Sequence, residues 1–244
     1  MPSKIDLLRE FYNTADTTRL KIETKFCGLP YCKELKRLGT LEYIAFDQKV
    51  CKYRISGLPP DAYQSFLEQH LEKKINLCAY FNPEENAVFA FNLDFVSAIG
   101  TDLKIYALYL FRDLYVLGIF PLVLRSGHGY HFWCKVSEPV ANTKLRAFMK
   151  AACDKAFEEA VSKGVNTDLL RCTRYPRLNT GDISIRLFGS NHIVTGLFSN
   201  VVIRIDEADT ILNEADSWSY FEKYLREYRI PVSGFFRACE IIGV

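Results

Sequence analysis

Apolar positions recur along the chain in two rhythms, and their order predicts an α+β protein. Helical spacing is clear over residues 5–12. It returns after Pro59-Pro60-Asp61, where Tyr63, Phe66, Leu67, His70 and Leu71 share a face. Residues 103–117 read as a mostly buried helix. Asn142 is placed to cap the next helix, in which Leu145, Phe148, Met149, Ala152, Ala156, Phe157 and Ala160 recur before Gly164 ends it. Strand-like runs occupy 75–80, 88–95, 120–124, 132–136, 183–187 and 201–205, with a turn at Asn82-Pro83-Glu84-Glu85-Asn86. Side chains repeat every second residue along a strand, so Asn92 and Asp94 share one face. From residue 75 the order is strand, strand, helix, strand, strand, helix, then strands, which predicts helices packed on a mixed or antiparallel sheet. One domain is expected over 1–205, with 1–74 as its N-terminal part and 75–205 as the core. The tail, 206–244, is expected to form two amphipathic helices, the second around Trp218, Phe221 and Leu225, packed on that core or bound to a partner.

Composition narrows the class. With 244 residues, 49% of them hydrophobic, the chain can bury a sizeable core. The nearest approach to a membrane span, 106–123, contains Arg112 and Asp113, and the N-terminus has no signal-peptide pattern. The expectation is a soluble intracellular protein without a membrane partner, cytoplasmic, or nuclear in a eukaryote. A net charge of +2 does not mark a strongly basic nucleic-acid binder, although local patches matter more than the sum. The eight cysteines are scattered, and no disulfide framework is expected. Cys27, Cys32 and Cys51 offer three corners of a structural zinc site, but only Cys78 is a nearby fourth thiol, so buried or incidental thiols are the main reading.

The candidate chemistry lies in short polar segments. Ser126-Gly127-His128-Gly129-Tyr130-His131 joins two strand-like runs. A glycine-rich turn lets main-chain amides approach an anion, and Ser126 and His131 can then grip phosphate oxygens. Two carboxylates at i and i+2 on a strand commonly hold Mg²⁺ or Mn²⁺; here the pair is Asn92 and Asp94, and taken alone it reads more readily as an ordinary polar face. Asp168 is followed by Arg171, Arg174 and Arg177 at three-residue spacing, either a solvated basic loop or an acid with arginines for phosphate. Residues 186–196 bring Arg186, Ser190 and His192 into one turn-rich stretch. Of four histidines, three fall in the two candidate phosphate segments, leaving His70 elsewhere.

In order and type these segments resemble the motifs of the archaeo-eukaryotic primase superfamily, the primase small subunits and primase–polymerases. Asn92-Leu93-Asp94 takes the place of the family's acid-x-acid pair, Ser126 to His131 that of its Ser–His motif, and Asp168 that of its third acid, with Asp182 as the alternative. Residues 186–196 resemble the Arg-Leu-x-Gly-Ser-x-His-x-x-Thr-Gly segment of archaeal small subunits, and the likeness spans roughly 75–205. The resemblance implies primer synthesis from NTPs or dNTPs on single-stranded DNA by two-metal catalysis, with Mg²⁺ or Mn²⁺ on Asn92, Asp94 and Asp168. It implies nucleotide contacts from Ser126, Gly127, His131, Arg186, Ser190 and His192, with Arg125, Arg171 and Arg174 as weaker candidates. It also implies a primase large subunit or helicase as partner. Asn92 departs from the family pattern and motivates the alternative, a catalytically degenerate scaffold or nucleic-acid-binding subunit of a replication complex. A metal-dependent nuclease would need a His-x-His pair, and His128 and His131 stand three apart.

Overall fold

The structure is a computed structural model. It describes residues 2–25, 29–47, 50–59, 61–95, 100–127, 129–168, 170–176, 184–192, 196–206 and 208–244, without the side chains of 29, 43–47 and 95. It is α+β, and every ladder between its strands is antiparallel. The chain forms two compact units, one of Met1–Asn82 with Gly181–Ser199, the other of Pro83–Thr180 with Asn200–Val244.

The first unit carries α1 (Lys4–Phe11), β1 (Arg19–Thr24), α2 (Leu29–Leu38), β2 (Thr40–Asp47), β3 (Val50–Ser56), α3 (Ala62–Leu71) and β4 (Asn76–Tyr80). The short strand Ser184–Arg186, ninth in chain order and hence β9, completes a five-stranded sheet of order β2-β3-β1-β4-β9. Here β1, β2, β3 and α2 are additions to the sequence reading. α1 starts at a capping box in which Ser3 Oγ accepts from Asp6 N and the Asp6 carboxylate accepts from Ser3 N. Cys51 is disulfide-bonded, so a crosslink stands where none was expected and one corner of the zinc reading is removed. Cys27 lies outside the described residues. Cys32 instead donates its thiol to Tyr53 OH at 3.5 Å.

His70, the one histidine left out of the phosphate segments, is a fully buried strut in this unit. Its Nδ1 accepts from Leu77 N at 3.2 Å and its Nε2 lies 3.0 Å from Phe188 O. That pattern requires the neutral ring protonated on Nε2. Burial pushes the ring's pKa below its ordinary 6.5. The unfolded chain therefore binds a proton that the folded one resists. Stability is full above pH ~6.5 and falls below it, by at most ~1.4 kcal/mol per pH unit. We expect the urea midpoint to drop between pH 7 and 5, and His70→Gln, which cannot titrate, to lose that share of the drop while lowering the midpoint at pH 7.

The second unit holds β5 (Glu85–Phe95), α4 (Thr101–Val116), β6 (Leu122–Arg125), β7 (Gly129–Ala141), α5 (Asn142–Ser162) and β8 (Leu170–Tyr175). It continues with β10 (Val202–Arg204), β11 (Thr210–Ile211), α6 (Glu214–Glu227) and α7 (Val232–Ile242). Its main sheet has the order β6-β7-β5-β8. The helix around Trp218 is therefore the first of the two tail helices, not the second, and a short hairpin of β10 and β11 precedes it. Asn142 does not cap α5: it lies in the first turn, buried, and its Oδ1 accepts from Asn86 Nδ2 at 2.8 Å.

One face of this sheet is packed by helices. Phe89, Phe91 and Leu93 from β5 join Tyr130, Phe132 and Cys134 from β7 in a core with α4, α5 and α7. Phe89, Phe148 and Phe235 meet edge-to-face at centroid distances of 5.2–6.0 Å, tying β5, α5 and α7 together. The tail thus contributes Phe235, Ala238 and Cys239 to the unit's own core. Among the described residues no helix is long and apolar enough to cross a membrane.

Candidate functional site on the four-stranded sheet

Residues opposite one another in a ladder share a face, so the register sorts the candidates. Asn92 lies between His131 of β7 and Thr173 of β8, and His131 in turn faces Leu124 of β6. Asp94 lies between Gly129 and Arg171. Ser126 extends the next row, since its N donates to Gly129 O at 2.9 Å. Two rows therefore cross the sheet on one face: Leu124-His131-Asn92-Thr173 and Ser126-Gly129-Asp94-Arg171. Four polar candidates named from sequence, Asn92, Asp94, Ser126 and His131, are brought onto one surface. Thr173, which sequence reasoning missed, joins them. Its signal is the two-residue step from Arg171, visible only once the register of β8 is known.

Two glycines shape the turn that makes this possible. Gly127 has φ +81°, a left-handed conformation that disfavours any side chain. Gly129 has a steric reason: a Cβ there would lie 1.7 Å from Leu93 O and 2.8 Å from Leu93 C. His128 lies outside the described residues. Ser126 and His131 are buried, Asn92, Asp94 and Thr173 half-buried, and Arg171 exposed.

The amide and the carboxylate bond directly: Asn92 Nδ2 donates to Asp94 Oδ2 at 2.6 Å. Asn92 Oδ1 is buried and has no hydrogen-bond partner among the described residues. An orphaned carbonyl beside a carboxylate is a hard-oxygen pair, of the kind that suits one divalent cation. Asp168 sits exposed in a turn before β8, its N bonded to Asn166 Oδ1 at 3.1 Å. Among the described residues no group of three or more His, Cys, Asp or Glu side chains is gathered as a metal would need. A three-acid, two-cation centre therefore does not fit the described side chains. Asp182 lies outside them.

Arg125 and Arg174 face the other way. Arg125 is opposite Tyr130 and Arg174 opposite Phe91, both on the helix-packed side. Arg125 Nη1 bonds the Asp209 carboxylate and Tyr130 OH, the latter at 3.1 Å. Asp209, 2% exposed, also accepts from Tyr130 OH at 2.7 Å and lies 3.5 Å from Lys104 Nζ. Arg125 is thus committed to a buried ionic cluster. Arg186, Ser190 and His192 belong to the first unit. Arg186 pairs with Cys78 in the β4–β9 ladder, and Ser190 Oγ meets Ser199 Oγ at 3.1 Å in a buried contact. His192 lines a cleft of that unit, described below.

No protein-family model matches the chain, and no curated protein matches it. Among solved structures it is similar to the polymerase domain of Mycobacterium tuberculosis ligase D in complex with DNA, at 13% identity and a TM-score of 0.34, over 92% of this chain and 85% of that one.

We expect Gly129→Ala to part β5 from β7 at Leu93, costing at least ~2 kcal/mol as overpacking at main chain does. Gly127→Ala should cost ~1 kcal/mol, the usual left-handed penalty. Chemical denaturation of both variants checks the order.

Proposed function

We propose that the polar face of the four-stranded sheet is a nucleotidyltransferase site of primase–polymerase kind, acting on NTPs or dNTPs with single-stranded DNA as template. The observation that carries this reading is the register: it sets Asp94 and Asn92 in rows with Ser126 and His131, so a carboxylate and two phosphate-gripping side chains share a surface. Ser126 and His131 bind triphosphate oxygens, the hydroxyl and ring N–H donating. Arg171, opposite Asp94, adds positive charge for a phosphate or the template. Asp94 holds the attacking hydroxyl or its proton close to the phosphate. A divalent cation, Mg²⁺ or Mn²⁺, on Asp94 and the Asn92 carbonyl would supply charge neutralisation at the phosphates. The segment of Arg186, Ser190 and His192 is proposed as a second source of nucleotide contacts. A large subunit or helicase is the proposed partner.

The Asn92–Asp94 hydrogen bond favours one second reading: a nucleotide- or nucleic-acid-binding subunit without catalysis. The test is labelled-nucleotide incorporation on single-stranded DNA with Mg²⁺ or Mn²⁺. The chain should synthesise or extend primers, Asp94→Ala should lower the rate at least ~100-fold, and Asn92→Asp should raise it. Equal rates in the parent and Asp94→Ala would sink the enzyme reading. Silence in every variant, with nucleotide binding weakened by His131→Ala, would establish the binding subunit instead.

A further inference from the structure

The first unit has a cleft of about 290 Å³ whose walls include Lys25, Lys73, Lys74, Asn76, Asn191 and His192. Among the described residues, none that lines it carries a carboxylate. Three lysines and a histidine line one concavity, and a concave wall focuses the positive potential that lysines supply. Lys74 Nζ is 2.6 Å from Glu72, but both side chains are more than half exposed, so the pair yields easily to a stronger anion.

The main chain under the lysines is unusual. Lys73 N donates to His70 O at 3.0 Å and Lys74 N to Gln69 O at 3.0 Å, the paired bonds of a Schellman stop at the end of α3. Lys73 occupies the left-handed position of that stop, at φ 61°, where glycine is the usual residue. A lysine there bears a backbone cost that glycine would not, which points to a use for its side chain. Its ammonium stands 5.5 Å from the centre of the Phe198 ring. His70 anchors the same stop, so the lysines project from a fixed loop rather than a loose one.

Asn191 supplies an independent sign. Its main-chain O accepts from buried Asn76 Nδ2 at 2.5 Å, while its own Oδ1 is buried without a hydrogen-bond partner among the described residues. Turned about its terminal bond, that amide offers N–H donors in place of the orphaned oxygen.

We infer that this cleft is a phosphate-binding site, taking either a polyphosphate or the phosphodiester backbone of a single strand. It stands whether or not the sheet of the second unit catalyses anything. The full chain is titrated calorimetrically with inorganic tripolyphosphate, and separately with an oligo(dT) strand over a range of salt. Both are repeated with Lys25→Ala/Lys73→Gly/Lys74→Ala and with a charge-matched control on exposed positions, Lys33→Ala/Lys36→Ala/Lys223→Ala. The cleft variant should bind tripolyphosphate at least ~10-fold more weakly, or lose ~2 from the slope of log K against log salt, about 0.7 per strand phosphate released. Loss in the first arm alone identifies a free polyphosphate, loss in the second alone a strand, and either supports the site. No binding in either arm, or equal losses in cleft variant and control, overturns it. Lys73→Gly should keep or raise the thermal midpoint, so weakened binding in that single variant cannot be laid to misfolding.

Discussion

Between Leu93 and Gly129 two strands come so close that no side-chain carbon fits, and both faces of the four-stranded sheet depend on that contact. A slip of one residue in β5 would turn Phe89, Phe91 and Leu93 away from α4, α5 and α7 and send Asn92 and Asp94 into their place. Burial of the aromatic row resists that slip from one side. The bare glycine fixes the seam from the other, by admitting one alignment of main chain against main chain. The polar rows then follow from the pleat, without any side chain having to seek its partner.

The same pleat explains why arginine is divided in its roles here. Arg171 and Arg174 are three apart, an odd step on a strand, and so face opposite ways. Arg125 is adjacent to Ser126 and also turns away from it, towards Tyr130 and Asp209. Its charge is matched within the protein by Asp209, which Lys104 also approaches. Breaking one side of such a buried group leaves an uncompensated charge, so this arginine is held for structure. It ties the segment before β11 to β6 and β7, and the tail helices follow from there.

Much of the second unit was legible because its elements are long and rhythmic. The strand at 88–95 and the helices at 103–117 and after Asn142 each keep one period over enough residues to be distinct. The first unit was less so. In β1 only Leu20 and Ile22 alternate with Arg19, Lys21 and Glu23, too short a run to stand out, and β2 and β3 follow a helix of mixed polarity. Motif content named Asn92, Asp94, Ser126 and His131, and alternation along one strand put two of them together. What sequence could not supply was register between strands: it brought in Thr173, moved Arg125 and Arg174 to the far face, and set Arg171 beside Asp94. His70 illustrates the converse. It reads as one more helix-face residue, yet beside Leu77 N, seven residues on, its ring meets Phe188 O from distant main chain that no local pattern announces.

The amide at position 92 changes the electrostatics of the face as well as its ligand count. Two carboxylates at i and i+2 on a strand repel each other, and a cation is what reconciles them. With asparagine there, Nδ2 donates to Asp94 Oδ2 and one negative charge is held locally without any cation. Arg171 stands across from that charge, and His131 and Thr173 flank the amide. A phosphate approaching this surface meets less repulsion than it would over a paired-acid centre, and a cation meets less attraction. The surface is therefore weighted towards an anion, and in the proposed reading transfer chemistry would rest on Asp94 and on how well the neighbouring rows orient a nucleotide.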